Sequence, residues 1–211
     1  MTICVLADDQ LKSAFLEKGI PDDIEIIWAD TVKVLYTVSD IDVYFDLLFH
    51  PDRERMAELS RLKEKPVFIN AVNETLAESA LSFIRVNAWP TMWNRDITEV
   101  AIHAPSQEQV VASVFKKLQW AYLIVPDIPG MITPRVIATI INEAYYALEQ
   151  EVSTKEEIDL AMKLGTNYPM GPFEWSQKIG LKKVHSLLNK LSLTEERYKP
   201  SELLVIESLS H

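Results

Sequence analysis

Residues 127–175 read DIPGMITPRVIATIINEAYYALEQEVSTKEEIDLAMKLGTNYPMGPFEW, and their apolar periodicity predicts a packed helical domain. Thr133 is placed to cap a helix whose first residue is Pro134, where the missing N–H costs nothing. Val136, Ile137, Ile140, Ile141, Ala144, Tyr145 and Leu148 then recur at helical spacing as one apolar stripe. Ser153 with Glu156 makes a capping-box pattern for a second helix that Gly165 ends, and Pro172 opens a third that stops near Gly180. Leu181 to Leu193 gives a fourth, followed by a tail containing Tyr198-Lys199-Pro200. Short connections make neighbours of these helices. Within the stretch, Pro169-Met170-Gly171-Pro172-Phe173-Glu174 reads as a tight turn and a helix start rather than as chemistry.

The first half of the chain alternates strand and helix. Thr2 to Ala7, Ile24 to Trp28, Val43 to Phe49 and Pro66 to Ile69 are short apolar, β-branched runs, with helical stretches at Leu11–Lys18 and Arg53–Leu62. That order predicts a parallel sheet with crossover connections. A domain boundary is placed near Pro126, after the strand-like Ala121 to Val125, giving domains of residues 1–125 and 126–211.

Composition narrows the function classes. The 211 residues are 48% hydrophobic with a formal net charge of −10, which disfavours nucleic acid and anionic membrane as partners. No apolar run is long enough to span a bilayer and no signal-peptide pattern opens the chain, so a cytoplasmic location is expected. The single Cys4 excludes an intramolecular disulfide, and it sits in an apolar run that predicts a buried, inert thiol. Histidines at 50, 103, 185 and 211 show no metal-ligand spacing, and no metal is expected.

Several blocks in order resemble the C-terminal domain of the 3-hydroxyacyl-CoA dehydrogenase family: Asp127, Pro129, Gly130 and Arg135; Asn142-Glu143-Ala144; Ile158-Asp159 with Ala161-Met162; and Tyr168 to Glu174. Two sparser echoes lie upstream, Asp42-Val43-Tyr44-Phe45-Asp46 and Asn87-Ala88-Trp89-Pro90-Thr91-Met92. The resemblance implies a degenerate α/β Rossmann-like N-terminal domain, followed by an all-α domain like the C-terminal domain of 6-phosphogluconate dehydrogenase. It also implies NAD as cofactor, an acyl-CoA-like small molecule as ligand, and pairing of chains through the helical domain.

The positions that the family uses for chemistry carry other residues. A dinucleotide-binding turn needs glycines between the first strand and helix, and here the turn is Ala7-Asp8-Asp9-Gln10-Leu11-Lys12, with no glycine before Gly19. A carboxylate about 4 Å from a phosphate costs roughly 4 kcal/mol at an effective dielectric of about 20. Asp30 stands where a ribose-binding acid is expected, against the blander reading of a solvated loop acid. The segment between Asp30 and Asp42 is too short for the helical arm that covers CoA in the family. Ile84 falls at the family's acid/base histidine, and its neighbour Arg85 cannot exchange protons near neutral pH. The orienting glutamate falls on Glu99 after a short insertion, or on Asp96 without one. The family's serine falls on Asn73 and its helix-entry asparagine on Pro134.

Two readings follow. In the first, the chain is a catalytically inactive family member that needs no cofactor and serves as a dimeric binding or scaffolding protein. In the second, it is a working NAD-dependent oxidoreductase of fatty-acid metabolism with a rearranged site drawn from Glu99, His103, Asn87 and Asn73, with Asp30 on the cofactor. Trp89, Trp93 and Trp120 either line a ligand site or fill a core or an interface. The apolar arc of the helix near Arg135–Gln150, with Ile137, Ile140, Ile141 and Tyr145, is wider than one neighbouring helix needs, which predicts a symmetric homodimer.

Overall fold

The computed structural model describes residues 1–62, 64–79 and 83–210. The chain forms two compact units, Met1–Met131 and Ile132–His211. The sequence places the boundary near Pro126. The structure places it after Met131 because residues 127–131 are tied into the first unit: Gly130 N–H donates to Val72 O at 2.8 Å, and Met131 packs with Ala101 and Val125.

In the first unit, β1 (Thr2–Leu6), β2 (Glu25–Ala29), β3 (Val43–Asp46), β4 (Val67–Ile69), β5 (Ile84–Val86), β6 (Ile97–Ile102) and β7 (Ala121–Ile124) make one sheet of order β2-β1-β3-β4-β5-β6-β7. All pairings are parallel except β5 with β6. Helices α1 (Asp9–Glu17), α2 (Val32–Thr37), α3 (Arg53–Leu59), α4 (Leu76–Ser79) and α5 (Gln107–Leu118) accompany it. Side chains alternate across a strand, and the inner strands are apolar at nearly every position because both faces are covered. Ile3, Val5, Phe45, Phe68, Ile84 and Val100 pack with Phe15 of α1 and Phe115 of α5. Cys4, Leu6, Tyr44, Val67 and Ile69 pack on the other face with Leu35 of α2 and Leu59 of α3.

The sequence reading missed β5, whose apolar run is interrupted by Arg85, and it missed α2 and α5. Val43 to Phe49 is shorter than expected: β3 stops at Asp46, whose carboxylate takes the Arg55 Nε at 2.8 Å and Nη2 at 2.5 Å. Burial pushes that carboxyl above its usual range, against the pull of Arg55. Trp89, Trp93 and Trp120 are all buried. Trp93 and Trp120 belong to the core around Phe15, whose ring stacks on Trp93 at 5.7 Å and meets Trp120 edge-on at 5.0 Å.

The second unit holds α6 (Thr133–Glu149), α7 (Lys155–Thr166), α8 (Pro172–Ile179), α9 (Leu181–Ser192) and α10 (Glu202–Ser210). Three sequence expectations shift here. Thr133 lies inside α6, with Ile132 as the flanking residue. The capping box of α7 is Thr154–Glu157 rather than Ser153–Glu156, with Thr154 Oγ1 accepting from Glu157 N–H at 3.2 Å while Glu157 also takes the Ser153 hydroxyl at 2.6 Å. Gly165 stays helical and Asn167, in the left-handed conformation at φ 56°, ends α7. Asn tolerates that conformation through its short polar side chain. The tail continues into α10, which the sequence reading did not anticipate.

The wide apolar arc of α6 is largely consumed inside its own unit. Ile137, Ile141 and Tyr145 are buried because α6 packs against three helices, α8, α9 and α10. Ile140 is half-buried and Val136 is 52% exposed. An aspartate at 141 therefore tests folding and not association. Among the described residues no helix is long and apolar enough to cross a membrane, and no group of three or more metal-ligating side chains occurs; His211 lies outside them.

Cys4 is wholly buried, and desolvation pushes its thiol up to about 11. We expect a disulfide-exchange reagent near pH 8 to leave the folded protein unmodified and to titrate one thiol in urea. Rapid modification of the native protein would show that β1 is open to solvent.

Candidate functional site

Ligands in open α/β folds sit at the carboxyl edge of the parallel strands. Here the loops after β1, β2, β3, β4 and β5 form that edge. Asn70 stitches three of them together, donating through Nδ2 to Leu47 O at 3.1 Å and Ala88 O at 3.3 Å and accepting from Ala88 N–H at 3.0 Å.

The first loop decides what α1 can bind. Asp8 is its N-cap, and its carboxylate accepts from Leu11 N–H at 2.8 Å. An uncapped helix start offers unpaired N–H groups and a positive partial charge to an anion. The chain's own carboxylate fills that position, so the residues present do not fit a dinucleotide pyrophosphate. Asp30, 84% exposed at its side chain, follows β2 and pairs with Lys12 at 3.2 Å. The segment between Asp30 and Asp42 holds only α2 and a turn.

The candidate residues divide between two edges of the sheet. Asp30, Asn73, Asn87 and Glu99 lie at the carboxyl edge. Val86 pairs with Val100, so Asn87 faces Glu99, and its N–H donates to Glu99 O at 3.1 Å. Glu99 and Asn87 are buried, Asn73 is half-buried and Asp96 is exposed. His103 follows the last residue of β6, four residues from Glu99 and about 13 Å along the strand at roughly 3.3 Å per residue. It is exposed at the amino edge, and its backbone N–H donates to Gln107 Oε1 at 2.8 Å. Ile84 is 2% exposed in the core with Phe68 and Val100.

The strongest feature of this edge escaped the sequence reading. Arg85 is fully buried, pairs with Asp127, and donates to Ala71 O at 2.7 Å, Val72 O at 3.0 Å and Ile128 O at 3.2 Å. Asp127 also accepts from the Leu76 and Ala77 N–H groups, capping α4. The signal was available: an arginine inside Phe83-Ile84-Arg85-Val86 must find an anion on the opposite face of the strand, since an unpaired buried charge is prohibitive. A guanidinium held this way is permanently charged and positions loops; it cannot move a proton.

In the second unit the motif residues prove to be ties between helices. Asn142 is buried, accepts from Ser201 N–H at 2.9 Å and donates to Lys199 O at 2.8 Å. Arg135 donates to Tyr198 Oη at 2.9 Å and pairs with Glu195 at 3.2 Å. Asp159 reaches the start of α8, accepting from Phe173 N–H at 2.8 Å and Glu174 N–H at 3.1 Å. Gly171 is required by that reach: a Cβ there would lie 2.3 Å from Asp159 Oδ1. Glu174 accepts from Gly171 N–H at 2.9 Å and pairs with Lys163 at 2.5 Å. A cavity of about 360 Å³ nearby is lined by Tyr145, Lys155, Ser176 and Glu207 among others. Glu207 accepts from Tyr145 Oη at 2.7 Å and from Lys155 Nζ at 2.7 Å. Burial first, then Glu207, drives the Tyr145 phenol far above its ordinary range, the wrong direction for a general base.

Gly171 and Gly165 give a paired test. Gly171→Ala should destabilise the protein in urea unfolding by about 1–3 kcal/mol through overpacking. Gly165→Ala, in open space within α7, should stabilise it by roughly 0.5–1 kcal/mol. A neutral Gly171→Ala would remove Asp159 as the clasp of α8.

Residues 130–206 match the family model described as 3-hydroxyacyl-CoA dehydrogenase, C-terminal domain. The chain is 45% identical over 84 residues to a 3-hydroxyadipyl-CoA dehydrogenase of Escherichia coli, covering 39% of this chain and 18% of that protein. It is 43% identical over 81 residues to a 3-hydroxybutyryl-CoA dehydrogenase of Bradyrhizobium diazoefficiens, covering 37% of this chain and 28% of the relative. The chain thus spans a minor part of these relatives. Among solved structures, the (S)-3-hydroxybutyryl-CoA dehydrogenase of Ralstonia eutropha superimposes over 99% of this chain and 93% of its own at TM-score 0.77 and 17% identity, a likeness of fold. The 3-hydroxybutyryl-CoA dehydrogenase of Escherichia coli K12 matches at 31% identity and TM-score 0.59, over 68% of this chain and 31% of its own. Residues 130–206 thus match the C-terminal domain of the 3-hydroxyacyl-CoA dehydrogenase family, and the chain as a whole shares the fold of its solved dehydrogenase neighbours.

Proposed function

We propose that this protein is a non-catalytic member of its family, a cytoplasmic homodimer that binds or scaffolds without turning over a substrate and without NAD. The observation that carries the reading is the Asp8 carboxylate on the Leu11 N–H, where a pyrophosphate would have to sit. Displacing it costs the cap, about 1 kcal/mol. Leaving it in place sets like charges about 4 Å apart, which costs about 1 kcal/mol in bulk-like solvent and about 4 where the effective dielectric falls to about 20. Asp8 is exposed, so the Coulomb cost lies toward the lower end. These are alternatives, the cheaper costing about 1 kcal/mol or roughly fivefold in affinity, and the turn Ala7 to Lys12 adds to it by having no glycine to let the backbone approach a pyrophosphate.

The second support is the lack of a proton-transfer group at position 84. Ile84 is buried in an apolar core, and Arg85 faces the opposite side of the sheet in its pair with Asp127. Oxidising a hydroxyl needs a base within hydrogen-bond reach of that hydroxyl. Glu99 and His103, the two titratable candidates, lie at opposite edges of the sheet and cannot serve one site together. An acyl-CoA-like molecule remains the ligand class that the family relationship favours.

Calorimetric titration with NAD and NADH should show no binding below millimolar concentration, and 3-hydroxyacyl-CoA and acetoacetyl-CoA should not turn over above background with either nicotinamide. A micromolar dissociation constant, or turnover lost in Glu99→Gln, would restore the enzyme reading.

Assembly through the helical unit is supported by α7, on which Asp159 alone is buried while Leu160 and Leu164, one turn apart, are 54% and 77% exposed. With Val136 they offer apolar surface for an interface above roughly 1,000 Å². Sedimentation at tens of micromolar should give twice the 24.1 kDa chain mass, and Leu164→Asp should give a folded monomer. A wild-type monomer under the same conditions would overturn the dimer.

A further inference from the structure

A cleft of about 330 Å³ separates α1 from the loop that follows β5, with Gln10, Ser13 and Glu17 on one wall and Thr91, Trp93 and Asn94 on the other. Two polar atoms of the second wall, Thr91 Oγ1 and Trp93 Nε1, are buried without a hydrogen-bond partner in the protein, and Trp93 is 1% exposed. The contrast with the neighbouring indole is direct, since Trp120 Nε1 donates to Gly19 O at 2.8 Å. Buried polar groups are almost always paired, and an orphan at a cleft points to a partner from outside the chain. Thr91 also has φ +69°, a left-handed conformation that a β-branched residue adopts only under constraint. The constraint is visible: Lys18 Nζ donates to Trp93 O at 3.1 Å and Arg95 O at 2.7 Å, and Asn94 Nδ2 donates to Glu17 Oε2 at 2.6 Å, holding the loop against α1.

We propose that this cleft binds a small uncharged polyhydroxylated molecule, with Trp93 Nε1 and Thr91 Oγ1 as its inner contacts and Glu17 at its mouth. The indole N–H only donates, so the ligand must present an acceptor oxygen, which excludes an ammonium. Glu17, when ionised, only accepts, so the ligand must also present a donor. No cationic side chain lines the cleft, which disfavours an anion. A hydroxyl meets both demands, and two or more hydroxyls on one carbon frame meet them at once. At about 30 Å³ per water-sized group the space suits roughly ten heavy atoms, the size of a pentose or hexose. Both atoms are closed to solvent, so entry requires the loop around Thr91 to shift, a movement that its left-handed backbone favours. The site stands apart from the question of catalysis.

The test uses the full chain with its five tryptophans labelled with nitrogen-15 at the indole, the Trp93 resonance being assigned by its loss in Trp93→Phe. Ribose and glucose are titrated into the tens of millimolar. Thermal shift is unsuitable, because polyols stabilise proteins generally by exclusion from the surface. We expect a saturable downfield movement of the Trp93 indole resonance with little change at Trp28, Trp89, Trp120 or Trp175. The response should be lost in Ala14→Leu, which fills the cleft without removing a hydrogen bond. The free spectrum of that variant reports whether its fold is intact, and Ser13→Phe, from an exposed position, is the second filling variant. No movement of Trp93, movement of all five indoles without saturation, or an undiminished response in a folded filled variant would each overturn the proposal.

Discussion

The N–H groups at a helix start are the constraint around which both units are organised. Each such start presents donors without an intrahelical acceptor and a positive partial charge. This acidic chain answers with aspartates. Asp8 caps α1 and Asp52 caps α3 locally, at 2.8 Å each, while Asp127 and Asp159 reach across from other segments to the starts of α4 and α8. Local caps fix where a helix begins. Long-range caps fix where one element lies relative to another. Three of these four helices follow strands of the parallel sheet and begin at its carboxyl edge, where the fold would otherwise offer anion sites. The same interaction that stabilises the helices therefore takes up one or two of the donors at each start and places a carboxylate where a phosphate would approach.

The Asp159 clasp shows why the helical unit was so legible. Its carboxylate needs two N–H groups at a helix start and a backbone that passes close enough to deliver them, and at position 171 only a glycine gives that approach. Asp159, Gly171, Pro172 and Glu174 thus satisfy one another, and each restricts its neighbours to few residue types. Asn142 acts likewise by holding Lys199 and Ser201. Motifs written by such mutual geometry survive as recognisable spacing in a single sequence. The exact caps did not, because Ser153, Thr154, Glu156 and Glu157 offer two capping registers one residue apart and the choice depends on hydroxyl geometry.

The first unit was legible by strand pattern and poorly legible at its site. Alternating runs located β1 to β4, but three-residue β5 carries a charge in its middle, which breaks any propensity rule. Arg85 is explained only by Asp127, 42 positions away, and by three carbonyl oxygens no pattern reveals. The width of the α6 stripe does not by itself say what covers it, for a related reason. Periodicity gives the angular extent of an apolar face, and it does not say whether one neighbour or three will cover it. α10, which the tail concealed, is one of the three.

Arg85 and Ile84 together show how β5 divides its two faces between core and loops. Adjacent strand residues point to opposite faces. Ile84 therefore faces the aromatic core around Phe68, while Arg85 faces the loops and draws Asp127 into a buried pair. An imidazole placed at 84 would enter apolar packing against Phe68 and Val100 and would gain no orienting carboxylate there, since Glu99 lies on the Arg85 side of β6, beside Asn87. A titratable group at 85 would have to replace the Arg85–Asp127 pair, which ties residues 71–72 and 128 together. The groups that fill this edge are thus the ones that fold it: one buried guanidinium joins Asp127 to the carbonyls of Ala71, Val72 and Ile128.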